Sequence, residues 1–186
     1  FAISVSYRSK VVTKLKDGDA NFDVPASVAS NFPAGNKFSA ELPLPSTFAV
    51  GMAFPLSEKL KMALDATIIN YDIYKELNFD YKENTPVLQD THSPKNYDKA
   101  GSIKAGLEYI ASDCLQLRIG GGVIATPVQQ SEYVYPETPD NTRYLISGGF
   151  TIKPTPKFDI TGSFAYQRIA ARQSTNVESR LSGTYV

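Results

Sequence analysis

Residues 103–125 read IKAGLEYIASDCLQLRIGGGVIA, which is two strands and a turn. Ile103, Ala105, Leu107 and Tyr109 fall on one side of an extended chain, and Lys104, Gly106 and Glu108 on the other. Beyond Ser112-Asp113-Cys114, the residues Leu115, Leu117, Ile119, Val123 and Ala125 oppose Gln116, Arg118, Gly120 and Gly122. Side chains of a strand alternate between faces, so this spacing predicts two-faced strands over 98–111 and 115–128, joined by a tight turn.

The same alternation extends in both directions. Over 1–15, Phe1, Ile3, Val5 and Tyr7 oppose Ala2, Ser4, Ser6, Arg8 and Lys10. Over 38–54, Phe48, Val50, Met52 and Phe54 oppose Thr47, Ala49, Gly51 and Ala53. Pro43 and Pro45 cannot donate ladder hydrogen bonds, so the first half of that segment reads as a ragged approach or a rim. A third strand begins at Leu60 and keeps phase to Ile68, after which Ile69, Tyr71 and Ile73 become the apolar set. Either a β-bulge or a strand that has left the membrane produces that slip. Two more strands cover 142–153 and 157–173.

Tight turns fall near 55–58, 112–114 and 154–156, and long polar connections span 16–36, 75–97, 129–141 and 175 onward. A hairpin array that is tight at one end and loose at the other is the pattern of an antiparallel transmembrane β-barrel of the outer-membrane kind. The strands, at about ten residues, suit a tilted bilayer crossing. Tyr7, Phe54, Tyr71, Tyr109, Tyr144, Phe158 and Tyr166 stand near strand ends, as aromatic girdles require.

Composition excludes several classes. The 186 residues carry 19 acidic and 19 basic side chains, so no charge excess points to nucleic acid. Mean hydropathy is −0.23, and no apolar run is long enough for a transmembrane helix. One Cys and one His leave no disulfide framework and no soft-ligand metal site. Cys114 sits in a turn with no base nearby in sequence, His92 sits in a polar connection, and Gly120-Gly121-Gly122 lacks the Lys-Ser/Thr of a phosphate loop. The sequence therefore reads as a non-enzyme that needs no cofactor and has membrane lipids and a hydrophobic small molecule as partners.

Alternation alone does not say which face meets lipid. The non-aromatic face is rich in Ala, Ser, Gly and Thr with scattered charges, which suits a crowded lumen better than a solvated surface. On that parity, Ile69, Ile124 and Leu145 stand out as apolar, all in the outer half of the wall. They are the candidate contacts for a greasy ligand, and a plug packed against the wall explains them equally well. Lys104, Arg118 and Arg143 are the candidate partners of a ligand carboxylate. For Lys104 and Arg118 the competing role is a lumen charge network with Glu108 and Asp159. For Arg143 it is an ion pair with Asp140 that staples the turn opened by Pro139.

Several stretches resemble, in order, the family of long-chain fatty acid outer-membrane transporters, which includes aromatic-hydrocarbon transporters. They are Val5-Ser6-Tyr7-Arg8-Ser9-Lys10-Val11, Glu41-Leu42-Pro43-Leu44-Pro45, Asn96-Tyr97-Asp98 with Ala105-Gly106-Leu107-Glu108-Tyr109, and Pro139-Asp140-Asn141-Thr142-Arg143-Tyr144 with Ser147 and Gly149. The last is similar to the family's Pro-Asp-x-x-Arg turn. The resemblance implies a fourteen-stranded barrel, with residues 1–186 as the C-terminal part of one barrel domain whose plug and early strands lie in a missing N-terminal half. It implies passive uptake of long-chain fatty acids or other hydrophobic molecules, with sideways exit through a gap at a kinked early strand. A related docking or shuttle protein of a secretion system and a soluble lipid-binding barrel are the competing readings.

Overall fold

In a computed structural model the protein is described over residues 1–135 and 140–175, with the backbone of 183–185. Pro139 lies outside the described residues. The strands are β1 (Ala2–Arg8), β2 (Val11–Ala20), β3 (Asn36–Leu44), β4 (Thr47–Pro55), β5 (Leu60–Ile69), β6 (Glu76–Tyr81), β7 (Thr91–Pro94), β8 (Ala100–Ser112), β9 (Leu115–Ala125), β10 (Arg143–Thr155), β11 (Phe158–Ile169), β12 (Arg172–Ser174) and β13 (Gly183–Tyr185). Seven of them form one antiparallel sheet in the order β1-β4-β5-β8-β9-β10-β11, the membrane wall. Four more form a second sheet, β2-β3-β6-β7, and β12 pairs with β13.

The second sheet corrects the sequence reading. The connections 16–36 and 75–97 are not simple polar loops, because they carry the end of β2, all of β6 and β7, and the start of β3. Each strand of the second sheet continues a strand of the wall. From Arg8↔Thr47 to Val11↔Leu44 the chain advances three residues on each strand, so the β1–β4 register passes into β2–β3 unbroken. The segments expected as single strands over 1–15 and 38–54 are thus each one long strand, interrupted only at Ser9-Lys10 and Pro45-Ser46. The reason is local: Pro45 stands opposite Lys10 in this register and has no N–H to give.

The phase slip after Ile68 is also resolved. The 3-10 turn Tyr71–Ile73 inserts into the third strand, which resumes as β6. An odd insertion flips the parity of everything after it, which is why Leu77, Phe79 and Tyr81 share a face. Tyr71 opens that turn, and its ring packs against Tyr97 at 6.3 Å, as Tyr74 does at 5.2 Å. Smaller differences lie at strand ends. β9 stops at Ala125, β10 runs on to Thr155, and β11 ends at Ile169 before β12 begins. His92 lies on β7, not in a loop, with Nδ1 3.3 Å from Asn78 Oδ1. Gly120 to Gly122 run straight through the middle of β9.

The orientation of the wall follows from exposure. Ile103 and Ile119 are 71% and 58% exposed, whereas their neighbours Lys104 and Arg118 are half-buried. The apolar face is convex and bare, and the polar face is concave. The most buried apolar side chains, Val128, Val134, Tyr135, Leu88, Ala20 and Ala100, sit in the loop layer or at its border, not within the wall. A soluble barrel packs its apolar face into a dry centre; this wall has none, so the soluble reading fails and lipid is the missing solvent for the outer face. The outer face includes Gly162, covered by the Phe150 ring, where an added Cβ would meet ring carbons at 2.8 Å.

In the full-length protein, Ile119→Arg should lower folding stability by about 2–4 kcal/mol, the usual cost of a cation near the bilayer midplane. Ser147→Lys, on the concave face, should cost clearly less. Denaturant unfolding into lipid vesicles measures both, and equal costs would overturn the orientation.

Candidate functional site: the concave face of the wall

Strand register places the polar residues in rows. Lys61 on β5 stands opposite Glu108 on β8, and Glu108 opposite Arg118 on β9. Lys61 Nζ donates to Glu108 Oε1 at 3.2 Å, and Arg118 Nε donates to Glu108 Oε2 at 2.8 Å. Arg118 Nη1 donates to Thr151 Oγ1 at 2.7 Å, and Arg118 Nη2 to Gln116 Oε1 at 3.1 Å. The Thr151 and Thr161 hydroxyls are 3.0 Å apart, with Thr151 only 4% exposed. A hydrogen-bonded ladder thus crosses five adjacent strands on the inner face. It confirms the Arg118–Glu108 link that alternation suggests. Asp159 makes no hydrogen bond or ion pair with it among the described residues. Lys61, Gln116, Thr151 and Thr161 are the members that sequence alone missed; all stand on the polar parity, but only the register shows that they meet.

Over the ladder lies a trough of about 730 Å³, whose lining includes Asp65, Lys104, Glu108, Arg118, Leu145 and several glycines. Lys104 stands opposite Asp65 in register, yet makes no hydrogen bond or ion pair with any described residue. Its stem lies over Gly122, where a Cβ would meet Lys104 Cγ at 2.7 Å. Glycine there lets the side chain lie flat across β9. Leu145 is also opposite Gly122, on the other flank.

The six candidate residues therefore separate. Lys104, Arg118 and Leu145 line the trough. Ile124 stands opposite Arg143 and diagonal to Leu145, just above the trough. Ile69 is opposite Thr47 and Ala100, two strands away from Ile124.

Arg143 is engaged. Its Nη2 donates to Asp140 Oδ1 at 2.6 Å, while Asp140 Oδ2 accepts the Thr126 hydroxyl at 2.6 Å. Arg143 Nε is buried without a hydrogen-bond partner among the described residues. Asp140 therefore ties both ends of the β9–β10 connection together. That connection is held down further along. The Tyr135 hydroxyl donates to Pro94 O at 2.7 Å, and the Lys95 ammonium lies 3.6 Å from the Tyr135 ring centre. The Arg172 guanidinium donates to Val128 O and Gln129 O, and Ser174 Oγ to Val134 O at 2.7 Å. No cluster of metal-ligating residues occurs among the described residues.

In a double-mutant cycle of Arg118→Met and Glu108→Gln in the full-length protein, the two substitutions should couple by about 0.5–3 kcal/mol, as residues within one network do. Denaturant unfolding reads the cycle. Additive effects would show that the ladder does not act as a unit.

Known proteins agree with this architecture. A Pseudomonas aeruginosa FadL homologue of known crystal structure superimposes with a TM-score of 0.74 at 19% identity, over 92% of this chain and 41% of that one. The monoaromatic hydrocarbon channel CymD superimposes at 0.51 with 18% identity, over 89% of this chain and 42% of that one. An outer membrane protein of Neisseria meningitidis serogroup B, NMB0088, is 24% identical over 161 residues, 79% of this chain and 34% of that protein. The chain thus spans between a third and a half of these relatives. Residues 1–185 match the model of the outer membrane protein transport protein family (OMPP1/FadL/TodX), so the chain belongs to that family and is part of a bacterial outer-membrane β-barrel.

Proposed function

We propose that the full-length protein takes up hydrophobic small molecules, long-chain fatty acids above all, passively across the outer membrane. The observation that carries this reading is the trough, where apolar Leu145 flanks Lys104, an ammonium with no hydrogen bond or ion pair among the described residues. Such a site accepts an amphiphile with one anionic end. Arg118 has its Nε, Nη1 and Nη2 donors turned to protein partners, and Arg143 is tied to Asp140, so Lys104 is the cation best placed to meet a carboxylate. Ile124 then extends the apolar path upward from Leu145, and Ile69 stands apart on β5 as a second apolar contact near the rim.

The driving force is partition. Each buried methylene contributes about 0.8 kcal/mol, so an acyl chain gains several kcal/mol on leaving water without a cofactor or an energy source. Membership of a transport family and the fold shared with a hydrocarbon channel support transport over catalysis.

Purified full-length protein should bind a long-chain fatty acid in a fluorescent-probe displacement assay. Leu145→Asp and Ile124→Asp should each weaken binding tenfold or more, since an apolar side-chain contact of about 1.5–3 kcal/mol is lost. Lys104→Met should weaken the acid but leave the alcohol of the same chain length unaffected. Unchanged affinity in both Asp variants would overturn the pocket, and equal loss of acid and alcohol would overturn the role of Lys104.

A further inference from the structure

A single register row crosses six strands of the concave face. Ser4 stands opposite Gly51, Gly51 opposite Asp65, Asp65 opposite Lys104, Lys104 opposite Gly122, and Gly122 opposite Leu145. Its polar members, Ser4, Asp65 and Lys104, lie on β1, β5 and β8, and its apolar end, Leu145, lies on β10. The ladder through Lys61 and Glu108 runs nearer the tight turns, with only Ala63 and Gly106 between on this face.

Asp65 is the unsatisfied member of the row. Opposite side chains on one face of an antiparallel pair stand about 5 Å apart at Cβ, within reach of an ion pair. Asp65 and Lys104 nevertheless form none. The Lys104 stem leans the other way, over Gly122. What Asp65 does receive is one long hydrogen bond, from Thr67 Oγ1 to its Oδ1 at 3.5 Å. Its Oδ2 lies 3.9 Å from the point where a Cβ on Gly51 would stand, and Ser4 Oγ reaches over the same glycine, 2.7 Å from that point. No hydrogen bond joins these two oxygens among the described residues.

A carboxylate in the middle of a membrane wall is costly unless it is paired or hydrogen-bonded. The ladder does not supply the partner. Arg118 directs its donors to Glu108, Thr151 and Gln116, and Lys61 donates to Glu108. Asp65 lines the same trough as Lys104 and Leu145, so its free oxygen faces whatever the trough holds. A plain carboxylate bound at Lys104 has Asp65 as its neighbour across one strand spacing and is repelled by it. A head group with a hydroxyl beside its carboxylate satisfies both residues. The carboxylate accepts from Lys104, and the hydroxyl donates to Asp65 Oδ2, with Ser4 Oγ on the far side. The carbon bearing the hydroxyl then sends the acyl chain across the methylene stem of Lys104 to Leu145.

We propose that the trough selects acyl chains whose head carries a hydroxyl beside the carboxylate, that is, hydroxylated fatty acids, and that Asp65 sets this preference. The proposal rests on the reading of the trough as a fatty-acid site and narrows its cargo.

The test uses the full-length protein in detergent. Palmitic acid and its β-hydroxy derivative each displace a neutral fluorescent acyl probe. The wild type should bind the hydroxy acid about tenfold more tightly, which is what one hydrogen bond to a charged group supplies. Asp65→Ala should abolish that preference and tighten palmitic acid by about threefold, because the repelling charge is gone. A residue that only holds the fold would weaken both acids when replaced. Asp65→Asn, neutral and of the same shape, should tighten palmitic acid likewise, which keeps the test decisive if the alanine variant misfolds. Lys104→Met should weaken both acids alike and leave their ratio unchanged. Palmitic acid bound by the wild type with no advantage for the hydroxy acid overturns the preference alone. An advantage that survives Asp65→Ala, or palmitic acid not tightened by Asp65→Asn, overturns the role of Asp65. Neither acid displacing the probe overturns the fatty-acid reading, and the preference with it.

Discussion

Hydrocarbon offers no hydrogen bonds, so each N–H and C=O of a membrane wall has to find its partner on a neighbouring strand. That requirement fixes the register here more tightly than any side-chain contact does. Because register fixes parity, it also fixes which side chains meet lipid and which meet the lumen. The unbroken register from β1–β4 into β2–β3 shows how far the constraint reaches: the outward set Ile3, Val5 and Tyr7 continues as Val11 and Leu15 well above the tight turns. Only at the interface, where water becomes available, does the chain insert a 3-10 turn and abandon pairing on one side.

The inner face answers a different problem. A cation enclosed by a low-dielectric wall is costly unless its donors are satisfied. Arg118 is placed where three strands can supply acceptors at once: Glu108 from β8, Gln116 from its own strand and Thr151 from β10. The small residues of the next row leave room for these long side chains to lie across the sheet. Lys104 shares the geometry, lying over Gly122, but makes no hydrogen bond or ion pair with any described residue.

Much of the wall was legible in the sequence, because period-two alternation and tight turns are both local. Residues 103–119 declare their own faces, and the structure keeps them. The second sheet was not legible. β6 and β7 are short, at six and four residues, rich in Asn, Asp, Ser and Thr, and become strands only as extensions of β5 and β8 that pair with β3 and with each other. The slip after Ile68 was visible as a change of phase, but its cause was not, since a one-residue bulge and a three-residue turn shift parity alike. At the site, Arg118 with Glu108 could be inferred from shared parity. Thr151 and Thr161 could not, because their meeting depends on the β9–β10–β11 register, and hydroxyls on a polar face look like any other lumen lining.

The location of the tight packing has a mechanical consequence. Val128, Val134 and Tyr135 are buried in the loop layer by Arg172, Ser174, Lys95 and Pro94, which belong to different connections. Loops bound to one another brace the rim above β8 to β11, and Asp140 draws Thr126 and Arg143 together at the head of β9 and β10. No comparable clasp spans 41–45 and 71–78. The other side of the rim is held by the β2-β3-β6-β7 ladder together with side-chain bonds of its own, Lys14 to Glu41, Asn36 Nδ2 to Glu83 O and Thr85 Oγ1 to Asn31 O, so each side is braced by the contacts its own connections can reach.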